Sequence, residues 1–180
     1  VNHTEPDHSG AVGKLLRKAP HLQVHGSRAA IQFLREQVNR DFNAHVVGDN
    51  DVLDLGNRRL RFIMAPFLHW PDTMFTYLEG EGVLFTCDAF GCHYSPPHGK
   101  LLESEQIEDI TEAVRYYFDS IMSPFKPKIQ EAVAKIADLD IDLVATGHGP
   151  ILDQDPWRII DLYRRWSSAP EQRTKKIIIA

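Results

Sequence analysis

Four side chains able to bind metal lie within the first ten residues. In V-N-H-T-E-P-D-H-S-G they are His3, Glu5, Asp7 and His8. In an extended chain, alternation sends His3, Glu5 and Asp7 to one side, and His8 follows at the turn. Gathering two carboxylates and two imidazoles in one place is costly unless cations compensate them. Further donors stand downstream, each beside turn or strand-end residues. His69 sits in the proline-bracketed loop A-P-F-L-H-W-P-D-T, and Asp88 closes the hydrophobic run V-L-F-T-C. His148 stands between Gly147 and Gly149, which allow a close backbone approach and positive φ. Together these four imidazoles and three carboxylates can divide between two metal ions, with one carboxylate bridging. Nitrogen and hard oxygen without sulfur suit iron or manganese better than a structural zinc site. Cys87 and Cys92 lack the spacing of a zinc knuckle, and Cys87 reads as a core residue pointing away from Asp88.

The elements that must position these groups follow from hydrophobic period and punctuation. Ser9 is placed to cap a helix over Gly10 to Lys18, and Ser27 one over Arg28 to Val38, with Ile31, Leu34 and Val38 at helical spacing. Leu22 to His25 and Ala44 to Val47 read as short strands. Asp51 to Leu55 and Arg59 to Met64 form a hairpin around Gly56-Asn57. Met74 to Leu78 and Val83 to Cys87 form another around Glu79-Gly80-Glu81-Gly82. A long helix is expected from Ser104 to Met122, with Ile107, Ile110, Val114, Tyr117 and Ile121 as its apolar stripe, another from Lys128 to Ala137, and a third from Pro156 to Trp166. Ile141 to Ala145 is a buried strand leading to His148, and Lys175 to Ala180 is a final strand. Alternating strands and helices define an α/β layer architecture, with the metal-capable residues at strand ends and in loops.

Composition narrows the function classes. The chain has 180 residues, 43% hydrophobic and 25% charged, enough for one domain with a sizeable core. A net charge of −5 gives no basic footprint for nucleic acid, and no apolar run approaches a membrane span. Two cysteines make no disulfide framework, which points to a reducing, cytoplasmic compartment. Nine histidines favour a metal site, although His21, His25 and His45 read as surface or strand residues.

The four motifs N-H-T-E-P-D-H-S-G, A-P-F-L-H-W-P-D-T-M, C-D-A-F-G and A-T-G-H-G-P, in this order from residue 2 to residue 150, resemble those of the flavodiiron proteins. The resemblance implies an αββα metallo-β-lactamase-like sandwich. In the wider superfamily the first motif is H-x-H-x-D-H, and Glu5 in place of its second histidine marks the flavodiiron branch. It further implies two irons: His3, Glu5 and His69 binding one, Asp7, His8 and His148 the other, and Asp88 bridging. The activity implied is reduction of dioxygen to water or nitric oxide to nitrous oxide. Electrons would come through FMN in a flavodoxin-like domain, from a rubredoxin-type donor, within a head-to-tail homodimer. His93 and Tyr94 are the candidate proton donors, with His98 a weaker one. Asp72 is expected to orient a histidine, by its closeness to His69, and Trp70 and Phe90 to wall the pocket. The family pattern places part of the lactamase-like domain before the first motif. Residues 1–170 therefore read as the C-terminal portion of the diiron domain, and 171–180 as a linker and first strand of the flavodoxin-like domain. The competing readings are a zinc-dependent hydrolase on the same scaffold, against which Glu5 argues, and a catalytically inactive fragment.

Overall fold

In a computed structural model of the chain, residues 1–95, 99–106 and 109–168 are described. A five-stranded mixed sheet carries the site. Strands β3 (Val52–Asp54), β4 (Arg59–Met64), β5 (Met74–Leu78) and β6 (Val83–Cys87) run as an antiparallel meander, and β7 (Leu143–Thr146) joins β6 in parallel. The turn between β5 and β6 uses Gly80 and Gly82 at φ +79° and +63°, where a side chain would be strained. A separate pair, β1 (Val24–Gly26) and β2 (Ala44–Val46), is parallel and is connected through helix α3 (Arg28–Val38). Ser27 caps α3 as its period predicts, its Oγ accepting from the Ala30 amide, and Asn39 ends the helix in the left-handed region.

Alternation along the strands makes two faces. Ile63, Phe75, Tyr77, Leu84 and Val144 bury against helices α4 (Thr111–Tyr117), α5 (Lys126–Ile136) and α6 (Pro156–Ser168). Phe62 and Met74 point the other way, to Val47. The His25 ring of β1 stacks 6.4 Å from Phe62 on that side, and α3 packs on β1 and β2. Helix, sheet, sheet, helix is the expected αββα order.

Several elements differ from the sequence reading. Extended backbone ends at Glu5; Pro6–Ser9 is a single helical turn, α1, so Asp7 and His8 leave from successive helical positions. Proline fits that first turn, where an amide would be unpaired anyway. The next helix, α2, covers Val12–Lys18, and the Ser9 hydroxyl does not cap it; it bonds the Thr4 carbonyl and Gln37 instead. The helix expected from Ser104 starts at Thr111, whose amide and hydroxyl both bond the Asp109 carboxylate at 2.9 and 2.7 Å. That local cap breaks the period, and Glu103–Glu105 forms a separate 3-10 turn. Beyond Tyr117 the helix continues as a wider turn through Phe118–Met122. Ile107, His98, the strand from Lys175 and the boundary at residue 170 lie outside the described residues. No described helix is long and apolar enough to cross a membrane.

The first two residues stitch the ligand-rich stretch to both sheets. The Val1 ammonium donates to the His25 carbonyl at 2.7 Å. Asn2 accepts from the Met74 amide and the Thr76 hydroxyl, and its own side-chain amide donates to the Phe85 carbonyl.

Candidate metal centre

All seven candidate ligands converge where the N-terminal stretch meets the ends of β6 and β7. Donor atoms of His3, Glu5, His69 and Asp88 lie within 4.8 Å of one another, and so do those of Asp7, His8 and His148. Asp88 faces both groups. Its Oδ2 is 3.2 Å from His3 Nε2 and 3.4 Å from His69 Nε2. Its Oδ1 is 3.0 Å from His8 Nε2 and 3.2 Å from His148 Nε2. Glu5 Oε2 closes the first group at 3.3 and 3.1 Å from His3 and His69, and Asp7 Oδ2 the second at 3.2 Å from His148. Two donors each about 2.1 Å from a common ion, at roughly right to tetrahedral angles, stand about 3.0–3.4 Å apart. These spacings therefore fit ions shared by the donors. Asp88 Oδ2 supports the same conclusion, since it is buried without a hydrogen-bond partner among the described residues.

The electrostatics show a site built to surround positive charge. Burial works to raise the Asp88 carboxyl, but His3, His69 and His8 overturn this and hold it far below the usual carboxylate range. Burial likewise pulls the His3 imidazole down, and Asp72 and Asp88 more than reverse it, raising it to about 10. Asp88 also raises His69, against burial. Cys87 Sγ comes within reach of His8 and Asp88, but burial, then the Asp88 charge, pushes its thiol up to about 12. In the metal-free site, burial and the Asp88 charge both favour the neutral thiol over the thiolate. Cys87 is half-buried, where sequence alternation expects core.

Asp72 orients a histidine, but that histidine is His3. Both its oxygens lie 3.3 Å from His3 Nδ1, and Oδ2 accepts from the Thr4 amide and hydroxyl at 2.7 and 2.8 Å. Such a carboxylate fixes the ring and leaves Nε2 free for a metal. The ligand loops hold strained backbone: Phe67, Cys87 and Phe90 have φ of +68°, +55° and +68°. Conformations of this kind cost of order 1–3 kcal/mol each and persist where surrounding structure fixes them. Gly147 supplies a close approach. A Cβ there would lie 2.7 Å from His8 Cε1 and 3.2 Å from the Cys87 backbone. Gly147→Ala should displace His8 and cost about 1–3 kcal/mol of stability. Metal analysis and a thermal melt check this: the expected result is loss of metal at the Asp7, His8 and His148 group with a lowered Tm.

A cavity of about 400 Å³ opens on the cluster, lined by ligands together with His93, Tyr117, Ser120 and Ile121. The His93 ring is 4.8 Å from Tyr117 and 5.4 Å from His148. Tyr94 is not in this lining; it packs half-buried against the core. Phe90 does not wall the cavity either, because its positive φ turns it into the core against Tyr163 and Phe75. Trp70 is not in the lining either; it stands edge-on to His3 at 5.1 Å, behind the ligand. Sequence reasoning gave Tyr117 no role beyond the stripe of its helix. Its phenol faces Asp88, and burial together with that carboxylate pushes it well above its ordinary value. A polar-tipped residue on an apolar stripe, directed at a strand end, is the signal that was available.

Fold and site together describe a metallo-β-lactamase-like domain with a double donor set. Residues 1–149 match the family described as ODP family beta lactamase, and the chain belongs to that family. Its relatives are flavodiiron and diflavin flavoproteins. The putative diflavin flavoprotein A 3 of Nostoc sp. is 41% identical over 93% of this chain and 29% of its own length. The flavo-diiron protein FprA2 of Clostridium acetobutylicum is 39% identical over 99% of this chain and 46% of its own. Among solved structures, a mutant flavo di-iron protein from Thermotoga maritima superposes with a TM-score of 0.84 at 31% identity, covering 96% of this chain and 43% of that one. The chain thus spans less than half the length of these relatives.

Proposed function

We propose that this chain is the diiron-bearing part of a flavodiiron-type oxidoreductase that reduces dioxygen to water, nitric oxide to nitrous oxide, or both. The observation that carries this reading is Asp88, with one oxygen turned to each group of donors. In this reading His3, Glu5 and His69 hold one iron, Asp7, His8 and His148 the other, and Asp88 joins them. A ferrous pair supplies two electrons together and open positions for a small diatomic.

The protein's own residues do the rest. The cavity admits a diatomic, and Ile121 gives it an apolar boundary. Tyr117 keeps its proton and serves as a hydrogen-bond donor toward the space beside Asp88. His93, exposed at the cavity edge, is the proton donor we propose in preference to Tyr94, since an imidazole can take protons from solvent and pass them inward. FMN belongs to a flavodoxin-like domain. A rubredoxin-type donor, a head-to-tail homodimer that brings FMN to the partner's site, and a cytoplasmic setting complete the proposal.

The test is metal content and single turnover. Two nitric oxide molecules, two electrons and two protons give one nitrous oxide and one water. The chain loaded anaerobically with ferrous iron should therefore release one nitrous oxide per iron pair, measured by gas chromatography. Zinc uptake with esterase activity and no nitrous oxide would overturn the reading. His93→Gln should slow this step by about a hundredfold, the lower end for loss of a general acid, with metal content unchanged. Stopped-flow kinetics and metal analysis check it.

A further inference from the structure

The two donor groups share Asp88 but are not built alike. His3 is fully buried, and its outer nitrogen is held by Asp72. Asp72 is itself buried and fixed on every side: its carboxylate takes both Thr4 donors, and its backbone carbonyl accepts from the Ser27 hydroxyl at 2.7 Å. Thr4, the residue between His3 and Glu5, is clamped from the other direction too. Its carbonyl accepts from the Ser9 hydroxyl at 2.8 Å and from the Gln37 amide at 2.5 Å. The backbone carrying two ligands of this group is therefore tied to Asp72, α3 and α1.

The second group has less support. Asp7 and His8 sit on a single helical turn, and His148 on a turn between two glycines. The Asp7 side chain is 49% exposed and that of His148 28%. Among the described residues, neither His8 nor His148 has a hydrogen bond on its outer nitrogen comparable to the one Asp72 gives His3. Ligands oriented in advance lose less freedom on binding, and outer partners of metal-binding histidines are worth about 10–100-fold in affinity. An ion already in the first group also repels a second across a few ångströms.

We infer that the two groups load in order and with unequal affinity: His3, Glu5 and His69 take the first, tightly held ion, and Asp7, His8 and His148 take a second, exchangeable one. This rests on the two-metal reading above. It implies that the protein passes through a one-metal form, and that loss of metal begins on the solvent side.

Anaerobic titration of the metal-free 180-residue chain with Co(II), followed by visible absorption and calorimetry, tests it. The expected result is two steps at least tenfold apart. His148→Ala, a change on a partly exposed turn, should remove the weaker step and keep the tighter one. Asp72→Asn should weaken the tighter step about 10–100-fold. In the unaltered chain loaded with two Co(II) ions, a chelator should strip one ion quickly and the other slowly. Equal or cooperative uptake of two ions overturns the inference and leaves the two-metal reading standing, as does loss of the tight step in His148→Ala. Uptake of a single ion or none by the unaltered chain overturns the two-metal reading as well.

Discussion

Replacing Asp88 by asparagine should cut the metal content of the chain from two ions to one or none. The asparagine keeps the shape of the side chain but removes the only charge among the described residues that faces both donor groups. Asp88 is 1% exposed, so its carboxylate is held in place between the two groups. Its two oxygens lie within 3.0–3.4 Å of the Nε2 atoms of His3, His8, His69 and His148. An amide would have to turn its NH₂ toward one pair of those nitrogens. That end is a donor and offers no lone pair to a cation. Loss of an outer partner alone costs about 10–100-fold in affinity, and loss of a direct anionic bridge should exceed a hundredfold. The effect on folding runs in the opposite direction for part of the cluster. Removing a buried charge removes its desolvation cost, while the histidines lose the group that favours their charged forms. Atomic absorption on anaerobically loaded protein, with circular dichroism to establish folding, separates the two. A folded Asp88→Asn chain that still holds two ions would show that Asp88 does not bridge.

The donors were legible in the sequence because their chemistry lies in residue type. His3, Glu5, Asp7 and His8 are costly together anywhere except around cations, and His69, Asp88 and His148 each stand where a strand or loop ends. The sheet was legible for a similar reason: the alternation in Arg59–Met64 and Met74–Leu78 can bury only one set of side chains per face. Orientation across the fold was less legible. Asp72 is three residues from His69, yet it serves His3, because the Leu68 to Thr73 loop folds back over Thr4 and presents its carboxylate there. No local pattern encodes a contact between residues 69 apart in the chain. Tyr117 was hidden by its own usefulness as a stripe residue. Burial and function coincide in it, and hydrophobic period reports only the burial. Phe90 erred the other way, since a positive φ at a non-glycine residue cannot be foreseen from side-chain type.

In the two-iron reading proposed above, Glu5→His should shift the metal preference of the site from iron toward zinc. Glu5 is the position at which the first motif departs from the histidine-rich pattern of the wider superfamily. In the structure its Oε2 lies 3.3 Å from His3 Nε2 and 3.1 Å from His69 Nε2, completing a group with two nitrogens, one terminal carboxylate oxygen and the shared Asp88. A histidine there exchanges a hard anionic donor for a neutral borderline one. Zinc stands above ferrous iron in the general affinity order, and a set of three imidazoles is a common zinc environment. Removing the carboxylate also withdraws negative charge from beside the metal, which disfavours the more highly charged ferric state. The side chain is 35% exposed at the cavity rim, so an imidazole has room without repacking the core. Protein grown with both metals supplied should therefore carry zinc in the His3 and His69 group. Its single-turnover yield of nitrous oxide should fall by at least a hundredfold, because zinc contributes no electrons. If the variant instead holds two irons and reacts with nitric oxide at the unaltered rate, Glu5 is not what selects the metal. The choice between hydrolytic and redox chemistry would then lie outside the set of ligands.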